Sequence, residues 1–176
     1  PDMARRDVPV ILEVAVNGTT RRERNPNAPI SPAEIAQVAI ECIELGAQLV
    51  HQHDDIGPSG ATPERMAELS LAAYQPVLAR FPDALLFPTT NWGGKRHEER
   101  WGHHFPLVEK GVLRVAYVDP GSLNLGGLDR DGIPSGGILY ANDLEFIRWK
   151  FEQCTRLRLG PTMALFEPGF VRLVRA

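Results

Sequence analysis

The chain has 176 residues, 43% of them hydrophobic and 23% charged, with a net charge of -3. That length and composition suit one globular domain with a real core, and the mild negative charge argues against a nucleic-acid partner. No apolar stretch approaches the roughly 18 residues a membrane span needs, and no signal-peptide core opens the chain, so no membrane association is expected. Cys42 and Cys154 stand far apart and outside any Cys-x-x-Cys pattern. They read as reduced core thiols of a cytoplasmic protein rather than a disulfide framework.

Taken in chain order, residues 8–16 form a β-rich apolar run that ends in Asn17-Gly18. A loop with a basic cluster (Arg21, Arg22, Arg24) follows, and then a helix from residue 32. Ser31 is its expected N-cap, Pro32 its first residue and Glu34 the return half of a capping box. Ile35, Val38, Ala39, Cys42 and Ile43 make one apolar stripe, and Gly46 stops it. "AQLVHQH" is the second strand, and a second helix opens at Thr62-Pro63. "ALLFPTTN" is the third strand. A less regular helix near residues 98–110 leads to a fourth strand, "VLRVAYVDPG". After a Gly-rich loop, Asn142 and Glu145 are expected to cap a helix with Leu144, Ile147, Phe151 and Cys154 on one face. "TMALFEPG" is the expected fifth strand, and "EPGFVRLVRA" begins another helix.

Five alternations of apolar strand and helix imply a parallel sheet covered on both faces. Every strand tip is polar or rich in Gly and Pro, as at the ligand-binding rim of such folds. No G-x-G-x-x-G or G-x-x-x-x-G-K-[ST] occurs, which favours a (β/α)8 TIM barrel over a nucleotide-binding doubly wound sheet. A whole barrel needs about 250 residues. The chain is therefore expected to be residues 1–176 of a single barrel domain, covering about the first five β/α units and cut short at its C-terminal side.

The second strand carries the sharpest chemical signal, "LVHQHDD" over residues 49–55. Side chains alternate along a strand, so His51 and His53 share one face about 6.5–7 Å apart along the backbone. At a barrel mouth, two such imidazoles can hold one divalent metal, and zinc is the ion expected. The competing reading is a pair of histidines hydrogen-bonded at a loop edge. Asp54 and Asp55 are candidates either to orient an imidazole or to cap the next loop. His97, His103 and His104 lie in a charged segment that reads as an exposed or amphipathic helix. Thr90 and Asn91, at the third tip, are candidate donors to a substrate oxygen. Asp119, Ser122 and Asn124 surround a turn, and Glu167 closes the expected fifth strand.

The segments "VNG", "NAPISPAEIAQVAIECIELGAQLVHQH", "PTTN", "VDPGSLNLG" and "FEPGF" resemble the β-keto acid cleavage enzymes, typified by 3-keto-5-aminohexanoate cleavage. The resemblance implies a zinc-dependent barrel that cleaves a β-keto acid with acetyl-CoA as co-substrate, giving acetoacetate and a new acyl-CoA. It implies that His51 and His53 hold the metal, with a glutamate of a late strand beyond Ala176. Thr90 matches a serine or threonine at the third-strand tip. The family's Pro-Glu-x-Glu on the fifth strand is Pro161-Thr162-Met163-Ala164 here, a glutamate after the first turn is replaced by Thr19, and the arginine after the histidines is Asp54 or Asp55. These departures fall on the groups that would meet the polar end of the substrate.

The mechanism expected from this reading polarises the keto oxygen on the metal. Thr90, Asn91 and Glu167 serve as the catalytic candidates, and Arg22 and Ser122 as the acetyl-CoA-binding ones. The expected partners are thus a small β-keto acid, acetyl-CoA and further copies of the chain in a homo-oligomer. A metal-dependent hydrolase of the amidohydrolase type is the alternative enzyme, disfavoured because its His-x-His sits on the first strand. A barrel that only binds metal or carboxylate is the non-catalytic one.

Overall fold

The computed structural model describes residues 9–54 and 61–175. The chain divides into two compact units, Pro1–Arg114 and Val115–Ala176.

In the first unit the elements are β1 (Glu13–Ala15), α1 (Pro32–Glu44), β2 (Leu49–Gln52), α2 (Pro63–Arg80), β3 (Leu85–Pro88), α3 (His97–Trp101) and α4 (His104–Glu109). The strands form one sheet in the order β1-β2-β3, parallel throughout, with Ala15 opposite His51 and His51 opposite Phe87. Two successive βαβ units are therefore present. The first strand is shorter than expected: residues 9–12 lie outside it, with Val10, Ile11 and Leu12 exposed, and Val8 is outside the described residues.

α1 starts where the sequence places it. Ser31 accepts from the Glu34 amide, and the Glu34 carboxylate takes the Ser31 amide in return, so two orphan donors of the first turn are satisfied. Ile35, Ala36 and Ala39 are buried, and Gly46 takes a positive φ of 108° just past the last turn. Thr62 caps α2 by accepting from the Arg65 amide at 3.2 Å, without the reciprocal half of a capping box, and α1 and α2 pack on one another. Pro76 lies inside α2 without ending it. The carbonyl it leaves unpaired, one turn back at Ala72, belongs to an exposed residue that water can reach. The expected single helix over 98–110 is two short ones, broken at Gly102 and His103.

The second unit holds β4 (Val115–Tyr117), β5 (Leu123–Leu128), β6 (Pro134–Tyr140), α5 (Leu144–Leu157), β7 (Gly160–Thr162) and α6 (Pro168–Val174). β4 and β7 pair in parallel, and β5 and β6 form an antiparallel hairpin. The hairpin corrects the expected Gly-rich loop. Gly137 explains the misleading composition: with φ 94°, any Cβ there would sit 2.0 Å from the Leu125 carbonyl oxygen. The strands approach so closely at their bulge that a glycine is required.

Three further expectations need correction here. Asp143, not Asn142, caps α5, accepting from the Phe146 amide at 2.7 Å. The buried face of α5 is Phe146, Ile147, Lys150 and Cys154, whereas Leu144 is exposed. The last strand is residues 160–162 rather than 162–169, because Pro168 begins α6 and residues 163–167 form no strand. The expected helix after Glu167-Pro168 is present as α6.

Candidate metal centre at the end of β2

β2 is a parallel strand flanked on both edges, so its side chains divide between two buried faces. His51 and His53 fall on one face, Gln52 and Asp54 on the other. The ring of His51 stacks on Phe87 of β3, with centroids 4.5 Å apart and 21° between planes. Its Nδ1 lies 3.3 Å from the Phe87 carbonyl oxygen. A carbonyl only accepts, so Nδ1 carries the hydrogen and Nε2 presents its lone pair. The Nε2 of His53 stands 3.1 Å from that Nε2, with the rings edge to face.

This spacing fits a shared ion. Two nitrogens on one tetrahedral zinc, each bonded at about 2.0–2.1 Å, lie roughly 3.3 Å apart. Both rings are half-buried. Burial, and secondarily the neighbouring His51, push the His53 pKa down to about 3. The ring is thus neutral at physiological pH, the state a metal ligand needs. Among the described residues no group of three or more His, Cys, Asp or Glu side chains converges in the manner of a complete site. His51 and His53 form a two-ligand half-site.

His53 lies one residue past the strand and is held through its main chain. The Asn17 side chain accepts from the His53 amide at 2.9 Å and donates to the His53 carbonyl at 2.7 Å. On the opposite face, Asp54 accepts from Gln52 Nε2 at 3.2 Å and from Ser70 Oγ at 3.0 Å. Asp54 therefore anchors β2 to α2, and burial pushes its carboxyl up to about 6. Of the two roles considered for Asp54, orienting an imidazole or capping the next loop, neither describes these bonds to Gln52 and Ser70. Asp55 lies outside the described residues.

The other candidates are distributed as follows. Thr90 and Asn91 are buried at the β3 tip. Thr90 Oγ1 donates to the Arg100 carbonyl at 3.2 Å, and Asn91 Nδ2 donates to Ala61 at 2.6 Å and Glu99 at 3.0 Å. Their donors tie α3, and the residue before the α2 cap, to the β3 tip. Arg22 donates to both Glu34 carboxylate oxygens at 2.6 Å, beside a cavity of about 390 Å³ also lined by Pro29 and Gln37. Hydrogen bonds from Ser31, then Arg22, hold the Glu34 carboxyl down at about 2.

In the second unit, Ser122 is exposed and its hydroxyl oxygen accepts from the Asn142 amide at 2.7 Å. Glu167 is exposed at the start of α6, five residues past β7, and so does not close a strand as expected. His103 and His104 are fully buried rather than exposed. His103 Nε2 donates to the Thr89 carbonyl at 2.9 Å, and His104 Nδ1 to the Trp101 carbonyl at 2.8 Å.

Two residues with a part in these sites carry no signal in the sequence. Asn17 reads as a turn residue before glycine. Lys150 reads as a solvated helix charge, yet it is buried between the rings of Tyr117 and Phe146, 4.9 and 4.6 Å from their centroids. Its Nζ donates to Asn142 Oδ1 at 3.2 Å, and Asn142 Nδ2 donates in turn to the Gly121 carbonyl at 3.1 Å. Lys150 thereby props the turn that carries Ser122.

The comparisons with known proteins agree with the sequence resemblance. A family model described as beta-keto acid cleavage enzyme matches residues 9–176. The chain is 29% identical over 120 residues to the 3-keto-5-aminohexanoate cleavage enzyme of Acetoanaerobium sticklandii, covering 67% of this chain and 41% of that protein. It is 27% identical over 177 residues to the 3-dehydrocarnitine:acetyl-CoA trimethylamine transferase of Rhizobium meliloti, covering 91% of this chain and 56% of that one. The chain spans about half the length of these curated relatives. With the family match running over residues 9–176, this chain belongs to the beta-keto acid cleavage enzyme family.

Proposed function

We propose that this protein takes part in zinc-dependent carbon–carbon cleavage of a β-keto acid with acetyl-CoA, yielding acetoacetate and a new acyl-CoA. The observation that carries the reading is the 3.1 Å approach of the His51 and His53 Nε2 atoms at the carboxyl end of a parallel strand. The family membership and the two relatives' names support the reaction class. The fold we assign is the (β/α)8 barrel, supported by the parallel β1-β2-β3 sheet with its α1 and α2 crossovers.

In this reading His51 and His53 hold the zinc, and a further protein ligand lies outside the described residues. Bound there, the ion supplies Lewis-acid polarisation of the substrate's keto oxygen. His51 keeps its Nε2 lone pair directed at the site because its Nδ1 hydrogen is given to Phe87. Thr90 and Asn91 shape the neighbouring β3 tip, since their hydrogens already go to main-chain carbonyls. Arg22, beside its cavity, is the assigned contact for the phosphates of acetyl-CoA, and reaching them requires it to exchange Glu34 for phosphate. We assign Ser122 to acetyl-CoA binding and Glu167 to catalysis, both being exposed in the second unit. We assign the protein to the cytoplasm and to a homo-oligomer. Exposed Leu128, Ile133 and Leu139 of the hairpin offer an apolar surface for association, and a two-stranded hairpin is marginal by itself. No helix among the described residues is long and apolar enough to cross a membrane.

The test is a paired measurement on wild type and His51→Ala: zinc content, and acyl-CoA formation from acetyl-CoA with a panel of β-keto acids. Loss of zinc and turnover together is the expected result. Undiminished turnover in a zinc-free variant would sink the assignment.

A further inference from the structure

We infer that Asn17 is a positioning residue for His53, acting as a side-chain substitute for a strand that has already turned away; this rests on the zinc reading above. The β1–β2 ladder pairs Ala15 with His51 and ends with the Val16 amide donating to the His51 carbonyl at 3.1 Å. Continued in register, the next rung of the ladder would bring the Val16 carbonyl to the His53 amide and the amide of residue 18 to the His53 carbonyl. There the chain has already turned, with Gly18 at φ 58°. The Asn17 side-chain amide takes the place of that rung. Its Oδ1 accepts from the His53 amide at 2.9 Å, and its Nδ2 donates to the His53 carbonyl at 2.7 Å. The same Nδ2 donates to the Pro29 carbonyl at 3.0 Å, which ties the carboxamide to the loop leading into α1.

Two bonds to one residue's amide and carbonyl fix the peptide planes on both sides of its Cα, and so the direction in which Cβ leaves the chain. His51 needs no such help. It lies within the ladder on both edges, and its ring is packed against Phe87. His53 lies beyond the last strand residue, Gln52, and its ring direction depends on how its main chain is held. An asparagine is suited to the task because its planar amide has one acceptor and two donors, the complement of a peptide's own edge. Aspartate has the same shape but would set a carboxylate oxygen against the His53 and Pro29 carbonyls.

The experiment titrates purified wild type, Asn17→Asp, Asn17→Ser and His51→Ala with zinc, and with cobalt followed by its visible absorption. Wild type is expected to bind one ion per chain and His51→Ala none. Both Asn17 variants are expected to bind zinc roughly 10–100-fold more weakly, the usual loss when a group that orients a metal ligand is removed, and to shift the cobalt bands. A residue that merely stabilised the turn would lower the melting temperature of the metal-free protein while leaving cobalt bands and zinc affinity unchanged. That result in either variant that folds overturns the inference, with the zinc reading intact. Wild type that binds no ion overturns the zinc reading, and this inference falls with it.

Discussion

His103 shows how a residue's charge state follows from where the chain buries it. Its ring is wholly enclosed, Nε2 donates to Thr89, and burial pushes its pKa down to about 3 despite that bond. The folded protein holds this ring neutral, whereas the unfolded chain protonates it near the ordinary 6.5. Stability is therefore lost as pH falls from about 6.5 toward 3, by on the order of 2 kcal/mol between pH 7 and pH 5. Asp54 acts with the opposite sign: its carboxyl, raised to about 6, favours the folded state as pH falls from 6 toward 3.8. Denaturant midpoints of wild type and His103→Gln at pH 7 and pH 5 separate the two, because Asp54 is common to both. The variant should lose less stability on acidification, and equal losses would refute the neutral buried ring. The sequence could not show this burial, since "HEERWGHHF" has the composition of a solvated helix. His51 and His53 were legible because a period of two is a local property of a strand. The Asn17 clamp was not, because its partner is 36 residues away.

Helix starts are the most legible elements, since a cap is encoded within four residues. Ser31 and Thr62 both sit where Ser/Thr-Pro placed them. The Gly-rich hairpin was misread because a glycine records a close approach without naming what approaches. Gly121 makes the same point in the second unit. A Cβ there would lie 2.1 Å from Cε1 of Phe170, so the ring packs directly on the turn that carries Ser122. Gly121→Ala is expected to cost about 1–3 kcal/mol through overpacking. In a Phe170→Val background, which removes the ring, the same change should cost less than half as much. Equal costs in the two backgrounds, measured by urea unfolding, would show that the ring is not what the glycine accommodates. The burial of Lys150 belongs to this scale as well. Periodicity put Leu144 and Phe151 on the inner face of α5, but the rings of Tyr117 and Phe146 with Asn142 define a pocket that suits a cation on a long stem.

At the scale of the whole molecule, the order of strands and helices and the parallel pairing of β1, β2 and β3 follow from apolar runs alternating with capped amphipathic stretches. Pairing between distant segments has no such local record, and the link between metal and fold is equally invisible in a linear pattern. His51 lies in β2 and His53 one residue beyond it, and their spacing depends on the turn after β1, through Asn17, and on β3, through Phe87. An ion held between them binds the folded arrangement and not the unfolded chain, so zinc should raise the melting temperature by mass action. At free zinc 100 times its dissociation constant the stabilisation is about 2.7 kcal/mol. For a chain of this size that corresponds to roughly 5–10 °C. Cys42, Cys154 and the remaining histidines become accessible on unfolding and can bind zinc there, which reduces the shift. His51→Ala keeps both thiols and all but one imidazole, so its zinc response is the proper baseline. Wild type should show a concentration-dependent rise above that baseline, reversed by chelation, with Asn17→Ser between the two. Coincident curves for wild type and His51→Ala would mean that the paired imidazoles exert no hold on the ion.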